Sequence, residues 1–250
     1  MNKWHPLVAS AALALVFASP SFALAKEGDV TVGIDKKQTL ADRLAVILNS
    51  EKAMIGDSGD DAKARQFALD LFGSHAEMAE LEASAPGVTT ELIDKLMPII
   101  NHSLRVRLPE LQRRQSALYA ETFDEADLAF LIRFYESSTG RKLVALTIDN
   151  LQTQNMVKSA KQSDDFTIAS DAVVADLQST ARAITPQFDE SDKAMLLELG
   201  RSSVAPKLQA IAKRTQQIGL DWQNEYLPEE EEQIMALMES IVARRLEATE

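Results

Sequence analysis

Four polar side chains, Tyr135, Glu136, Arg141 and Lys142, bracket the stretch FYESSTGRKL and set a phenol, a carboxylate and two cations around one short turn. Such a set could converge on a single ligand. The competing reading is structural: Tyr135 half-buried with its hydroxyl paired, and Glu136 bridged to Arg141 or Lys142 across the turn. A second candidate is RVRLPELQRR, where Arg105, Arg107, Arg113 and Arg114 against Glu110 leave a local positive excess in an acidic chain. Such a run is either a solvated face balanced by nearby acids or a docking patch for an acidic partner or polymer.

The remaining chemistry is thin. The chain has no cysteine, which excludes disulfides, thiolate catalysis, thiolate metal ligation and a lipidated cysteine. His75 and His102 stand apart from any metal-spaced cluster, so no metal or other cofactor is expected. GDSG at 56–59 imitates the neighbourhood of a serine-protease nucleophile, but it joins two helical segments and reads as a capped turn. Asp57, Asp60 and Asp61 do not make an EF-hand loop, since Ala62 and Ala68 stand where it needs glycine and glutamate. Paired carboxylates are too abundant here to point anywhere.

The elements that must position these residues begin with the opening MNKWHPLVASAALALVFASPSFALAKEG. Its apolar run from Leu7 to Ala18 and its A-x-A spacing predict a secretory signal peptide over 1–25, cleaved after Ala25, or after Ala23 as the near alternative. The run is well short of the ~20 residues of a bilayer span, and no later stretch is long enough, so no transmembrane segment is expected. Cleavage would remove one lysine and no acid, taking the net charge from −12 to −13. Such a chain repels nucleic acid and anionic lipid. With 9 glycines, 8 prolines and abundant Ala, Leu, Glu and Lys, the composition is that of a helical protein.

Helical periodicity predicts a mobile stretch over 26–38 and a first helix capped by Thr39. Pro98 and Pro109 should split the segment after Thr90 into at least two helices. A helix over 165–184 should turn Ile168, Val173, Val174 and Leu177 inward, and a last helix carries four acids in its first turn and Arg244 and Arg245 near its end.

FDEADLAFLIRFYESSTGRKLVA, residues 123–145, is followed at a constant offset of 65 by FDESDKAMLLELGRSSVAPKLQA, residues 188–210, and eleven of the 23 paired positions are identical. An internal repeat of this kind predicts one supersecondary unit used twice. Asp124 and Asp189 are the shared N-caps, with Phe123 and Phe188 as hydrophobic staples. Leu128, Leu131, Ile132, Tyr135, Phe130 and Phe134 should face the core, with Met195, Leu196, Leu197 and Leu199 at equivalent depth in the second copy. Each unit reads as a helical hairpin with a very short turn near Gly140 or Pro206.

The first copy, from about Pro109 to Leu151, resembles the DUF2059 family in its Phe-acid-acid start, its Phe-Tyr-Glu-Ser centre and its Gly-Arg-Lys-Leu finish. That resemblance implies an all-α domain of exported bacterial proteins and supplies no reaction. The second copy departs from the pattern at Gly200, Arg201, Ala205 and Pro206.

The expected protein is therefore an all-α bundle of about eight helices containing two repeated helical hairpins. Its segments are a helical region at 39–108, hairpin units at 109–163 and 164–227, and a terminal helix at 228–250. The function expected is a non-enzymatic periplasmic role in binding an envelope protein or cell-wall component, not nucleic acid. The alternatives are an envelope hydrolase using carboxylates, or a small-molecule carrier with a cavity between the hairpins.

Overall fold

The computed structural model describes residues 36–51, 62–73, 76–162, 168–224 and 228–247. The signal segment, the GDSG turn with its aspartates, and His75 lie outside them. Among the described residues there are eleven α-helices, one 3-10 turn and no strand, more helices than the eight expected. The excess comes from short pieces such as Gln154–Lys161, which has no side-chain cap of its own to announce it.

In chain order the helices are α1 (Lys36–Leu48), α2 (Ala62–Phe72), α3 (Ala76–Ser84), α4 (Val88–Thr122), α5 (Glu125–Glu136) and α6 (Ser138–Asp149). There follow α7 (Gln154–Lys161), α8 (Ser170–Ile184), a 3-10 turn (Thr185–Gln187), α9 (Glu190–Arg201), α10 (Val204–Asn224) and α11 (Pro228–Glu247). Helix α1 begins before Thr39, which is inside it rather than capping it.

The spine is α4, a continuous 35-residue helix about 50 Å long at the usual rise per residue. Pro98 and Pro109 lie inside it and do not split it, contrary to expectation. Both prolines are exposed, as are Asp94 and Arg105 four residues before them, so the carbonyls that lose an amide partner face water. Sixteen buried residues on the other faces hold the helix together through both positions. Fully burying a large aliphatic side chain contributes about 1.5–3 kcal/mol, so the buried leucines and isoleucines of α4 together outweigh the ~3 kcal/mol cost of each interior proline.

Two apolar cores share this spine. The larger joins the first two-thirds of α4 to α2, α3, α7 and α11 and takes in Trp222 of α10. The smaller joins the end of α4 to α1, α5 and α10 around Leu44, Leu118, Phe123, Leu128, Leu131 and Ile211.

The corner before α4 is closed by long-range polar contacts. Gly87 has a left-handed backbone (φ 85°), which glycine adopts at no steric cost. Glu82 accepts the amides of Gly87 (2.5 Å) and Thr89 (3.0 Å) at the start of α4. Burial pushes the Glu82 carboxyl up, but the amides outweigh it and leave it below its usual value. From the far end of the chain, Arg244 and Arg245 of α11 both pair with Glu91, holding its carboxyl below the usual range.

Helix α8 starts at Ser170 and buries Ala172, Val173, Asp176, Thr180 and Ile184, with Ile168 just ahead of it. Val174 and Leu177, expected inward, are 42% and 46% exposed. The polar Asp176 takes the inward place because its carboxylate accepts the amides of Asn155 (3.1 Å) and Met156 (2.9 Å) and so caps α7.

Candidate functional site

The stretches that hold the predicted residues are two pairs of helices, α5 with α6 and α9 with α10. Each pair opens with the same local chemistry. Asp124 accepts the Asp127 amide at 2.9 Å and Asp127 accepts the Asp124 amide at 3.3 Å; Asp189 and Asp192 repeat both bonds at the same distances. These reciprocal caps satisfy helix-end donors that would otherwise be orphaned and hold Asp124 and Asp189 below their usual pKa.

The break between the helices is also made alike. Ser137 ends α5 by donating to the Phe134 carbonyl (2.6 Å) and starts α6 by accepting the Gly140 amide (3.0 Å). Ser202 donates to the Leu199 carbonyl at 2.7 Å. The first turn is the tighter of the two. A Cβ on Gly140 would lie 2.0 Å from the Phe134 carbonyl oxygen, so only glycine fits.

Across the pairs runs a reciprocal exchange. Lys142 of α6 reaches Asp192 of α9 at 2.5 Å, where Thr139 also donates at 2.8 Å. Lys207 of α10 reaches Asp127 of α5 in return. The hydrogen bond from Lys142, then that from Thr139, holds Asp192 below its usual pKa, and the bond to Asp127 raises Lys207. Each carboxylate is thus shared between its own helix cap and a lysine from the other pair.

The four residues around the turn do not converge. Lys142 turns to Asp192 and stacks over Phe188, 5.6 Å from the ring centre. Glu136 pairs with Arg43 of α1 at 2.7 Å, and not with Arg141 or Lys142 across the turn. The reason is direction: Glu136 ends the stripe of α5 that faces α1. Tyr135 is half-buried beside the smaller core, edge-on to Phe134 at 5.2 Å, and burial raises its phenol. Arg141 is exposed and makes no ion pair among the described residues.

The arginine run is likewise divided. Arg105 pairs with Glu51 at 2.7 Å. Arg113 and Arg114 both grip Glu110 at 2.7 Å, and their hydrogen bonds hold its carboxyl down at about 2. Arg107 lies over Trp222, 4.9 Å from the ring centre, and donates to the Trp222 carbonyl while the indole donates to the Arg107 carbonyl. That clamp joins α4 to α10 and went unseen in the sequence, where a lone Trp 115 residues away gives no local signal.

The second pair is the shallower one. Leu128, Leu131, Ile132 and Phe134 of α5 are buried, whereas Asp192 is the buried residue of α9. Met195, Leu196 and Leu199 are half-buried and Leu197 is 56% exposed, so the expected equal depth does not hold. Helix α1 packs on α4 and α5 and deepens the first pair. The outer face of α9 instead lines an open groove of about 560 Å³ with Phe130, Ala194, Leu197, Glu198, Arg201 and Ser202.

Among the described residues no group of histidines and acids could hold a metal ion, and no helix is long and apolar enough to cross a membrane. No curated protein and no solved structure matches the chain. Residues 109–162, from Pro109 inside α4 through α5 and α6 to the end of α7, match the family described as "Uncharacterized protein conserved in bacteria (DUF2059)".

Proposed function

We propose that this is an exported, non-enzymatic helical protein of the bacterial envelope, built from a duplicated helical hairpin, that works by binding an envelope protein or cell-wall component. The duplication is supported by the eleven identities at offset 65 and by caps and helix limits that coincide at the same offset. Export is supported by the apolar opening with its A-x-A spacing.

The observation that carries partner binding is the exposure of Val174, Leu177 and Leu197 on α8 and α9. Leu197 lines the open groove, and exposed apolar side chains at such a place favour an interface. The charged residues around the turn and in the arginine run, Arg141 apart, are meanwhile committed to caps, ion pairs and the Trp222 clamp. They offer no pair of free carboxylates of the sort hydrolysis needs.

Two experiments test this. Intact mass of the chain recovered from the periplasm should show residues 1–25 removed; a chain still carrying Leu7 to Ala18 would overturn the localisation. Crosslinking in intact cells followed by purification should return one dominant partner. Recovery of the chain alone, under conditions that capture other envelope complexes, would remove the binding role.

A further inference from the structure

Helix α1 does for the first hairpin what no described element does for the second. It lies against both α4 and α5. On α4 it meets Ser116 through Asp42, and Asn49 just after it donates to Gln115 (2.9 Å) and accepts from Gln112 at its carbonyl (2.7 Å). On α5 it meets Glu125 through Lys36 (2.9 Å) and Glu136 through Arg43 (2.7 Å). Glu125, Ala129, Ile132 and Glu136 form one stripe at helical spacing.

Sixty-five residues on, the same stripe reads Glu190, Ala194, Leu197 and Arg201. Ile132 is 4% exposed, and its counterpart Leu197 is 56% exposed. Gln112 corresponds to Leu177, 46% exposed on α8. Glu136, which holds Arg43, corresponds to Arg201, which is exposed and makes no ion pair among the described residues. Ala194, Leu197 and Arg201 all line the open groove.

We propose that this groove is a docking site for an amphipathic helix of a partner protein, carrying alanine and leucine on its buried stripe and an acid opposite Arg201. The stripe chemistry follows from α1, which buries Ala41, Leu44 and Ala45. The acid follows from charge reversal: α1 sets a cation on Glu136, and the groove offers a cation in its place. The α1 of a second copy is a poor occupant because it would bring Arg43 against Arg201, and like charges repel. The proposal rests on the partner-binding reading and gives it a place.

The probe is a synthetic, lactam-bridged helix of residues 36–51 carrying Arg43→Glu, with helicity confirmed by circular dichroism. Titrated against the purified chain by fluorescence anisotropy, it should bind saturably and at least tenfold more tightly than the same helix with Arg43 retained. Leu197→Lys in the protein should abolish binding while leaving the melting curve unchanged, because Leu197 is exposed. Arg201→Glu should invert the preference between the two helices. Equal binding of both helices, or no inversion, overturns the proposal. Self-association of the chain that Leu197→Lys abolishes would also overturn it, since the groove would then be an interface between copies. If the helix fails but crosslinking still captures a partner on the Leu197→Lys variant, partner binding stands and its site lies elsewhere.

Discussion

Helices α5 and α9 open with the same capping bonds at the same distances and end on a serine that closes the last turn, yet they sit at different depths. Helix α5 buries four large apolar side chains, and α9 leaves Leu197 open to solvent beside a groove. What separates them is their neighbours: α1 covers α5, and no described element covers the same stripe of α9. Local chemistry can therefore specify where a helix begins and ends without specifying how deeply it is buried.

Exchanging or truncating residues at matched positions tests that contrast. The largest expected effect is Leu131→Ala in α5, where a side chain with no exposed area leaves a cavity; we expect a loss of about 2–5 kcal/mol in urea titrations. Leu196→Ala, its half-buried counterpart in α9, should cost less than half as much. Equal losses would mean that the two helices are equally deep in solution.

Gly140→Ala should cost about 1–3 kcal/mol, the usual range for forcing atoms into a packed site, because its Cβ would strike the Phe134 carbonyl. Ala205→Gly at the matched position should lose only the ~0.5–1 kcal/mol of an Ala to Gly change in a helix. Differential scanning calorimetry on the pair checks the difference. A silent Gly140→Ala would show that the first turn opens as easily as the second.

A smaller effect is expected in the pH dependence. Asp124, Asp189 and Asp192 are all held below their usual pKa, so the unfolded chain binds more protons than the folded one as pH falls below about 4. Their stabilisation is complete above that range and is lost as pH falls through the folded values. Lys142→Met removes the main cause for Asp192 and should shift the acid unfolding midpoint upward. Lys207 runs the other way, since its raised pKa gives stability that is present below about 10 and lost at higher pH. Lys207→Met should therefore flatten the alkaline limb of the melting-temperature profile and leave the acid limb set by Asp192 in place.

The smallest effect belongs to Leu197→Ala, which should change stability by no more than about 0.5 kcal/mol, as surface substitutions usually do. A loss of 2 kcal/mol or more in thermal melts would mean that something covers α9 after all, and the contrast between α5 and α9 would fail.

Much of this was legible in the chain. The caps at Asp124 and Asp189 and the helix breaks near Gly140 and Pro206 follow from residues within four positions of one another. Contacts of that range depend on backbone geometry that any helix end must satisfy. The all-α class follows from composition and period for the same reason. What tertiary structure alone decided joins residues far apart in sequence: Lys142 to Asp192, Lys207 to Asp127, Arg43 to Glu136 and Trp222 to Arg107. The unbroken run of α4 through Pro98 and Pro109, the outward turn of Val174 and Leu177, and the open stripe of α9 belong to the same group. A side chain's partner and depth are set by which surfaces meet when the helices pack, and helical period places residues on a face without saying what that face will touch.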